Sequence, residues 1–542
     1  MKTFMQWMAT ASLLSTFSIV PASAQQQQTL FCLADGTQIS AQRFETHDGK
    51  FFLYVPGSST PLEYPVSSVK GINVRCENGA APPSSAPPSQ VQNPPPAQNA
   101  AGFGIHGSNT IGERLMPMLI EAYSKAKFGT TPNSKMTGSE EQEITLKLAG
   151  GSTKVIDLKA HGSGTSAPDL MAGKSIIGMS SRRINPKETT DFTTKFNTNP
   201  QQPGNEHVLA LDGVAVIVNP QNPVKQLSLD QIARIFAGQI TNWSDVGGAN
   251  RPINVYRRDD KSGTTDTFKS LVLAGPNLSF TTSAKMFESS ETVSSDVTAD
   301  PDGIGYIGLP YINKNTALAI SSTCGITSSP SRFTVKTETY PLTRRLYLYT
   351  VGVPNDPVAR DLVDYALSDQ AQATVQDAEF VEQTPDFQED ADQRDMVQGI
   401  LNDPTRGLGE DKAVPREILR GYASIMGNVR RTSAVFRFEY SSSQLDTRAQ
   451  QDVQRIARWL KSPAAAGKKF FIAGFADSKG SWRTNYELAS KRAIQVAQEL
   501  GRAGVNVPRD SVLSLSYMAP TTCNDSDAGT AKNRRVEIWV AR

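Results

Sequence analysis

Between Gly79 and Gly102 the chain carries no charged residue, while prolines stand at Pro82, Pro83, Pro87, Pro88 and Pro94 to Pro96. Proline fixes φ and offers no amide proton to a helix or a sheet ladder, so such a segment is a poor candidate for a packed core. It reads as a semi-extended linker; at about 3 Å per residue it holds its neighbours several nanometres apart. The chain is therefore expected to fold in separate pieces. Its 542 residues, at about 150 per domain, point to three or four domains. A hydrophobic share of 38% and a charged share of 20% support ordinary water-soluble cores and exclude wholesale disorder. With 55 basic and 53 acidic residues the net charge is only +2, so no whole-protein field recruits nucleic acid or anionic lipid. A charged ligand must be held by a local site.

The chain opens with Lys2, an apolar stretch from Met8 to Val20, and then Pro21-Ala22-Ser23-Ala24, a small-residue cleavage pattern. The stretch is shorter than the ~20 residues that span a bilayer, and Ser and Thr interrupt it, so residues 1–24 read as a cleaved secretory signal rather than an anchor. Export places the four cysteines, Cys32, Cys76, Cys324 and Cys523, in an oxidising compartment where disulfides outrank metal ligation. No CxxC or His-paired spacing supports zinc, and no metal or cofactor is expected. Cys32 and Cys76 bracket a compact β-patterned segment and are expected to pair. A Cys324–Cys523 bridge would have to link two distant regions, and the sequence leaves it open. Export also disfavours a docking role for the Pro-rich segment, since partners of such motifs are scarce outside the cytoplasm.

Residues 25–78 contain runs such as Phe51-Phe52-Leu53-Tyr54-Val55 between Asp48-Gly49 and Pro56-Gly57, which are strand and turn signals. So small a module makes a thin core and is expected to need its disulfide. After the linker, residues 103–400 alternate apolar strands with helical patterns, as in an α/β domain. Val208 to Leu211 and Val214 to Val218 read as buried strands, and Leu229 to Phe236 as an amphipathic helix ending near Gly238. Residues 401–432 read as a connector. From 433 to 542 a strand at Phe436-Arg437-Phe438, a helix from Arg448 to Leu460 and a strand from Phe470 to Ala473 follow in βαβ order.

Four stretches of the middle domain are rich in Gly, Ser and Thr where a strand pattern gives way to a helix pattern: Gly107-Ser108-Asn109-Thr110, Gly162-Ser163-Gly164-Thr165, Gly178-Met179-Ser180-Ser181 and Ser262-Gly263-Thr264. Amides at helix N-termini and nearby hydroxyls donate to anions. One such loop means little, because Ser and Thr also cap helices. Four in one domain, with Arg258 just before the last, point to a tetrahedral oxyanion. The run Asp212 to Pro220, the stretch Gly238-Gln239-Ile240-Thr241-Asn242-Trp243, the segment Arg258 to Phe268 and Gly303 to Gly308 resemble the phosphate-binding proteins of phosphate ABC importers. That resemblance implies a two-lobed clamshell with lobe two from about Pro220 to Phe333. It also implies a ligand shell of Thr110, the Ile111 amide, Ser163, Ser181, Arg258, Ser262, Gly263 and Thr264. Ser181 stands where well-known phosphate binders have Asp, the group that accepts the proton of hydrogen phosphate and rejects sulfate. Lys261 stands where Gly is usual. Asp260 is open to three readings: orienting Arg258, serving as the missing acceptor, or forming a plain surface pair. His106 and His161 lie beside anion loops, and adjacency alone does not aim them at a ligand.

In the last domain, Asp477 at a strand end and Arg492 on the following helix can face one another and seat a zwitterion; taken alone, such a pair is more often a structural ion pair. Gly474 to Asp477, Gly480-Ser481, Asn485, Leu488, Arg492-Ala493 and Asn533 to Ile538 resemble the OmpA-like peptidoglycan-binding domain. The resemblance implies that Asp477, Asn485 and Arg492 hold the diaminopimelate of the stem peptide, with Arg535 in support. Phe475, Ala476 and Ala489 depart from the usual His, Thr and Ser.

The sequence thus leads to a multidomain α/β protein: a small disulfide-linked β module, a type II periplasmic-binding-protein clamshell and an OmpA-like βαβαβ domain. The expected function is periplasmic capture, sensing or delivery of phosphate or a related oxyanion by a protein anchored to peptidoglycan near the outer membrane. An ABC permease or an outer-membrane protein is a conceivable partner. No Ser-His-Asp order or paired-carboxylate motif marks an enzyme. The rival reading is a structural wall adaptor whose clamshell recognises a protein or another oxyanion.

Overall fold

The computed structural model describes the six strands between Thr29 and Ile72 and residues 100–542, apart from 261, 409–411, 413, 439–443 and 525–526. The signal segment, the linker up to residue 99, Cys76 with its expected bridge to Cys32, and Lys261 lie outside the described residues. Two compact units emerge, Lys2–Pro96 and Ala97–Arg542. The first holds two three-stranded antiparallel sheets, one centred on Thr29–Leu33 and one on Lys50–Tyr54, with Leu53 buried.

The second unit is built on an eleven-stranded sheet. In lobe one Ala100–Gly107 lies parallel to Thr153–Lys159 and Ile177–Ser180; in lobe two Asn254–Arg258 lies parallel to Gly303–Gly308 and Lys285–Phe287. Two antiparallel hinge strands join the lobes. The first, Glu206–Val218, is 13 residues long and buried along almost its whole length; it joins the two apolar runs read as separate strands, Val208 to Leu211 and Val214 to Val218, across Asp212-Gly213. It pairs with the second, Thr343–Tyr349, as far as Gly213, and with Gly303–Gly308 from Val214 onward, so one strand belongs to both lobes. A side chain at Gly213 would meet Val335 Cγ2 at 2.6 Å, which keeps the crossing point bare.

Each lobe has its own apolar core. Ile105, Leu115, Leu119, Ile156 and Leu346 pack in lobe one. Val216, Ile232, Phe236, Phe268 and Tyr306 pack in lobe two, with the Phe268 and Tyr306 rings stacked 4.2 Å apart. Val335, Tyr340 and Leu342 join that second core, so lobe two runs past the expected end at Phe333. The helix Leu229–Phe236 forms where its periodicity places it. Ser228 and Gln231 close a capping box at its start, and Ile232, Ala233, Ile235 and Phe236 are its buried face.

The C-terminal domain is a four-stranded sheet in the order Val429–Arg437, Arg535–Ala541, Phe470–Gly474, Val512–Ser514. The helices Thr447–Leu460 and Trp482–Arg502 contribute Ile456 and Val496 to its core, against Phe436, Ile472 and Ile538. The segment read as a connector contains the helix Arg416–Asn428, whose Tyr422, Ile425 and Met426 are buried. Cys324 of lobe two and Cys523 of the C-terminal domain form a disulfide, with 5.7 Å between their Cα atoms. Beside it lies a buried ionic layer around Glu338, described below. Among the described residues no helix is long and apolar enough to cross a membrane.

Candidate functional site

The anion loops meet at the cleft between the lobes. Ser163 opens a short turn ahead of the helix Ser166–Met171, and its Oγ accepts the Ser181 amide at 2.9 Å and lies 3.0 Å from Ser181 Oγ. These two residues from separate loops are thus side by side. Thr110 precedes the helical turn Ile111–Leu115 and abuts Gly263 of lobe two: a Cβ on Gly263 would fall 1.8 Å from Thr110 Oγ1, so only glycine allows this approach. Ser262 caps the helix Gly263–Phe268, its Oγ accepting the Thr264 amide at 3.2 Å.

Arg344, which the sequence did not single out, joins the two lobes here. Its Nη2 donates to Thr110 Oγ1 at 2.9 Å and to the Gly263 carbonyl at 2.7 Å, and its Nε donates to Asp212 at 3.1 Å. Burial pulls its pKa down from the usual guanidinium value and Asp212 acts against that shift, so the pair keeps a cation in the cleft. Arg344, Ser163 and Ser181 line a cavity of about 750 Å³ together with Arg182, Arg257 and Lys269.

Arg258 and Ser262 line a different cavity of about 420 Å³ with Glu113, Glu140, Asp259 and Glu288. Arg258 Nη1 donates to Ser290 Oγ at 2.8 Å, while its buried Nε has no hydrogen-bond partner. Burial lowers its pKa, opposed by Asp259 and Glu113; burial raises that of Glu113, reinforced by Glu140. The structure therefore brings together Thr110 with Gly263, and Ser163 with Ser181, but sets Arg258 and Ser262 in a second, acid-rimmed cavity. Asp260 does not bond Arg258, and it lines the same cavity as Ser163, Ser181 and Arg344. It pairs with Arg257 at 3.1 Å and Lys269 at 2.9 Å, and these contacts push its pKa down to about 2. His106 is buried between Asp169 at 2.9 Å and Asp157 at 3.3 Å, and His161 lies 3.2 Å from Glu141.

In the C-terminal domain Asp477 follows the strand Phe470–Gly474. Its Oδ1 accepts the Lys479 amide at 2.9 Å and its Oδ2 accepts from Arg534 at 3.1 Å. Asn485, buried, donates to the Lys479 carbonyl at 2.8 Å and so fixes the loop that carries Asp477. Arg492 has a buried Nη1 without a hydrogen-bond partner, and its guanidinium lies 5.4 Å from the Phe438 ring. Burial lowers its pKa, Arg534 adds to that, and Asp477 opposes it, so Asp477 and Arg492 feel each other without a direct bond. Arg535 is not beside them. It donates to Glu537 at 2.7 Å and to the Ala519 carbonyl at 2.9 Å, with its guanidinium 3.9 Å from the Phe475 ring. Its neighbour Arg534 is the arginine that reaches Asp477. Arg534 lies just before the strand Arg535–Ala541, whose first residue is Arg535, and no local pattern in the sequence separates the two arginines.

Residues 105–370 match the PBP superfamily domain and residues 437–535 match the OmpA family, so the chain carries these two domains in succession. The phosphate-binding protein PstS of Bacillus subtilis (strain 168) is 33% identical over 174 residues, covering 31% of this chain and 54% of the relative. PstS of Borreliella burgdorferi is 26% identical over 186 residues, covering 33% and 67%. The chain thus spans about half the length of the first relative and about two thirds of the second. An ABC-type phosphate transport receptor from Vibrio cholerae shares 22% identity at a TM-score of 0.40, covering 52% of this chain and 99% of that one. The periplasmic domain of Helicobacter pylori MotB shares 29% identity at a TM-score of 0.18, covering 21% and 74%.

Proposed function

We propose that this protein is an exported oxyanion receptor, with phosphate as its ligand, held on the cell wall by its C-terminal domain. The observation that carries the reading is the meeting of the two lobes at Thr110 and Gly263, beside the Ser163–Ser181 pair and a buried Arg344, in a domain of the PBP superfamily. Opening of the lobes admits the anion. Closure surrounds it with the hydroxyls and amides of Thr110, Ile111, Ser163, Ser181, Gly263 and Thr264, the shell being completed when lobe movement brings Arg258 and Ser262 round from the neighbouring cavity, and the greater affinity of the closed state drives the equilibrium. Because Ser181 offers a hydroxyl and no carboxylate, discrimination against sulfate is the property most open to measurement.

The leader is removed after Ala24, and Asp477, Asn485 and Arg492 take the diaminopimelate of the stem peptide. A receptor fixed in this way diffuses little, which favours capture or sensing over shuttling to a permease. It binds and does not turn over its ligand. Calorimetric titration of the stripped mature protein with phosphate, sulfate and molybdate tests the reading. Phosphate is expected to bind at micromolar affinity or tighter, with a loss of at least about a hundredfold, near 2.7 kcal/mol, in Arg258→Ala. Absence of binding by any of the three anions would leave the wall adaptor as the better account.

A further inference from the structure

The C-terminal domain does not hang from one lobe. Its helix Thr447–Leu460 grips lobe one. Gln451 accepts the Val208 amide at 3.0 Å on the lobe-one half of the first hinge strand, Arg455 donates to the Leu367 carbonyl at 3.1 Å, and Arg458 forks onto Asp369 at 2.6 and 2.9 Å. The same domain is bonded to lobe two through the Cys324–Cys523 disulfide and through Glu338. That buried carboxylate accepts from Arg437 at 2.9 Å and lies 3.3 Å from Arg448, both of the C-terminal domain. Arg437 and Arg448 also donate to the carbonyls of Thr337 at 2.6 Å and Lys336 at 3.0 Å. Glu338 itself has φ of 55°, a left-handed backbone that a non-glycine residue keeps only when its surroundings over-determine it.

The two sets of contacts converge on the second hinge strand. Arg344 and Arg345 are successive residues of Thr343–Tyr349, so their side chains leave the strand in opposite directions. Arg344 enters the cleft and bonds both lobes there. Arg345 leaves on the other side, where it bonds Glu338 of lobe two at 2.9 Å and Asp446 of the C-terminal domain at 2.8 Å. One domain thus spans both lobes behind the hinge, and any rotation of the lobes must slide or break one half of its contacts.

We propose that the docked C-terminal domain sets the opening of the cleft, holding the lobes near closure through Arg345, and thereby couples the anion site to the cell-wall site. The coupling rests on the receptor reading above; the restraint on the lobes does not. A clamshell already biased toward its binding-competent form has a tighter apparent affinity, since apparent affinity scales with the populated fraction of that form. By linkage, whatever factor the anion exerts on stem-peptide binding is returned by the stem peptide on the anion.

The test uses the full mature chain with donor and acceptor dyes at Lys187 of lobe one and Lys314 of lobe two, both exposed. Single-molecule energy transfer without phosphate is expected to give one narrow distance distribution. In Gln451→Ala/Arg458→Ala, which loosens the helix from lobe one while the disulfide still anchors lobe two, the distribution is expected to broaden toward open distances. Phosphate affinity should fall about fivefold or more in that variant, and in the wild type saturating phosphate should shift the affinity for a diaminopimelate-containing tripeptide by the same factor that saturating tripeptide shifts the affinity for phosphate. Arg458→Ala alone, at the exposed edge of the interface, serves if the double variant does not fold. A wild-type distribution as broad as the variant's, or a variant as narrow as the wild type, overturns the proposal. A wild type that binds no phosphate defeats the receptor reading instead, and the distance measurement still decides the restraint.

Discussion

Asp260 and Glu338 are both carboxylates set against arginine and lie at opposite ends of a range. Asp260, at the cleft, is 59% exposed and bonds Arg257 and Lys269 where water competes for every contact. Glu338, between lobe two and the C-terminal domain, is 10% exposed and faces Arg345, Arg437 and Arg448. Burial works to raise the Glu338 pKa, yet those arginines hold it well below the usual carboxylate range. The lesson is that the same ion pair is loose and replaceable in one place and a fixed element of architecture in the other. Charge at the cleft stays available to a ligand, whereas charge at the interface is consumed by the fold.

Glu338→Gln should break the comparison most forcefully. It removes the carboxylate that Arg345, Arg437 and Arg448 share, leaving only Asp446 and Asp452 to balance three buried arginines, and a loss of about 3–5 kcal/mol is expected in urea unfolding monitored by Trp fluorescence. Acid should act next. His207, on the first hinge strand beside Thr350 Oγ1 at 3.1 Å, has its pKa lowered by burial to about 4. Between pH 6.5 and 4 the unfolded chain binds a proton that the folded chain refuses, so stability should fall as pH drops through that window, by about 3 kcal/mol in all. His207→Gln should flatten that part of the pH profile. Asp260→Asn should do least. Its pKa is depressed, so its contribution is present above the ordinary Asp value and fades toward pH 2, but the pair is solvent-screened, and a change within about 1 kcal/mol is expected at neutral pH. A large loss in Asp260→Asn would erase the distinction drawn between the two carboxylates.

Much of this was legible in the sequence, for reasons tied to particular residues. Leu229 to Phe236 shows its buried stripe at helical spacing, and Val214 to Val218 shows the unbroken apolar run of a strand covered on both faces. The Gly-Ser-Thr stretches mark loops at the cleft because short polar residues and glycine permit close backbone approach. Legibility stops where position depends on pairing. Arg344 and Arg345 are a featureless dipeptide until the register of the hinge strand sends one to the cleft and the other to the interface. Glu338 finds partners at 345, 437 and 448, a convergence that no local pattern encodes. The same holds for Arg534 and Arg535, which part where the strand Arg535–Ala541 begins.

The Cys324–Cys523 bridge closes a ring of chain across 199 positions. A ribosome delivers the amino end first, so Cys324 exists as an unpaired thiol through the synthesis of nearly all the remaining polypeptide. Lobe two cannot complete its covalent structure before the C-terminal domain is made as far as Cys523. Once the ring is closed, a single protease cut inside it frees no fragment: both pieces stay joined, and the damaged molecule keeps its C-terminal domain.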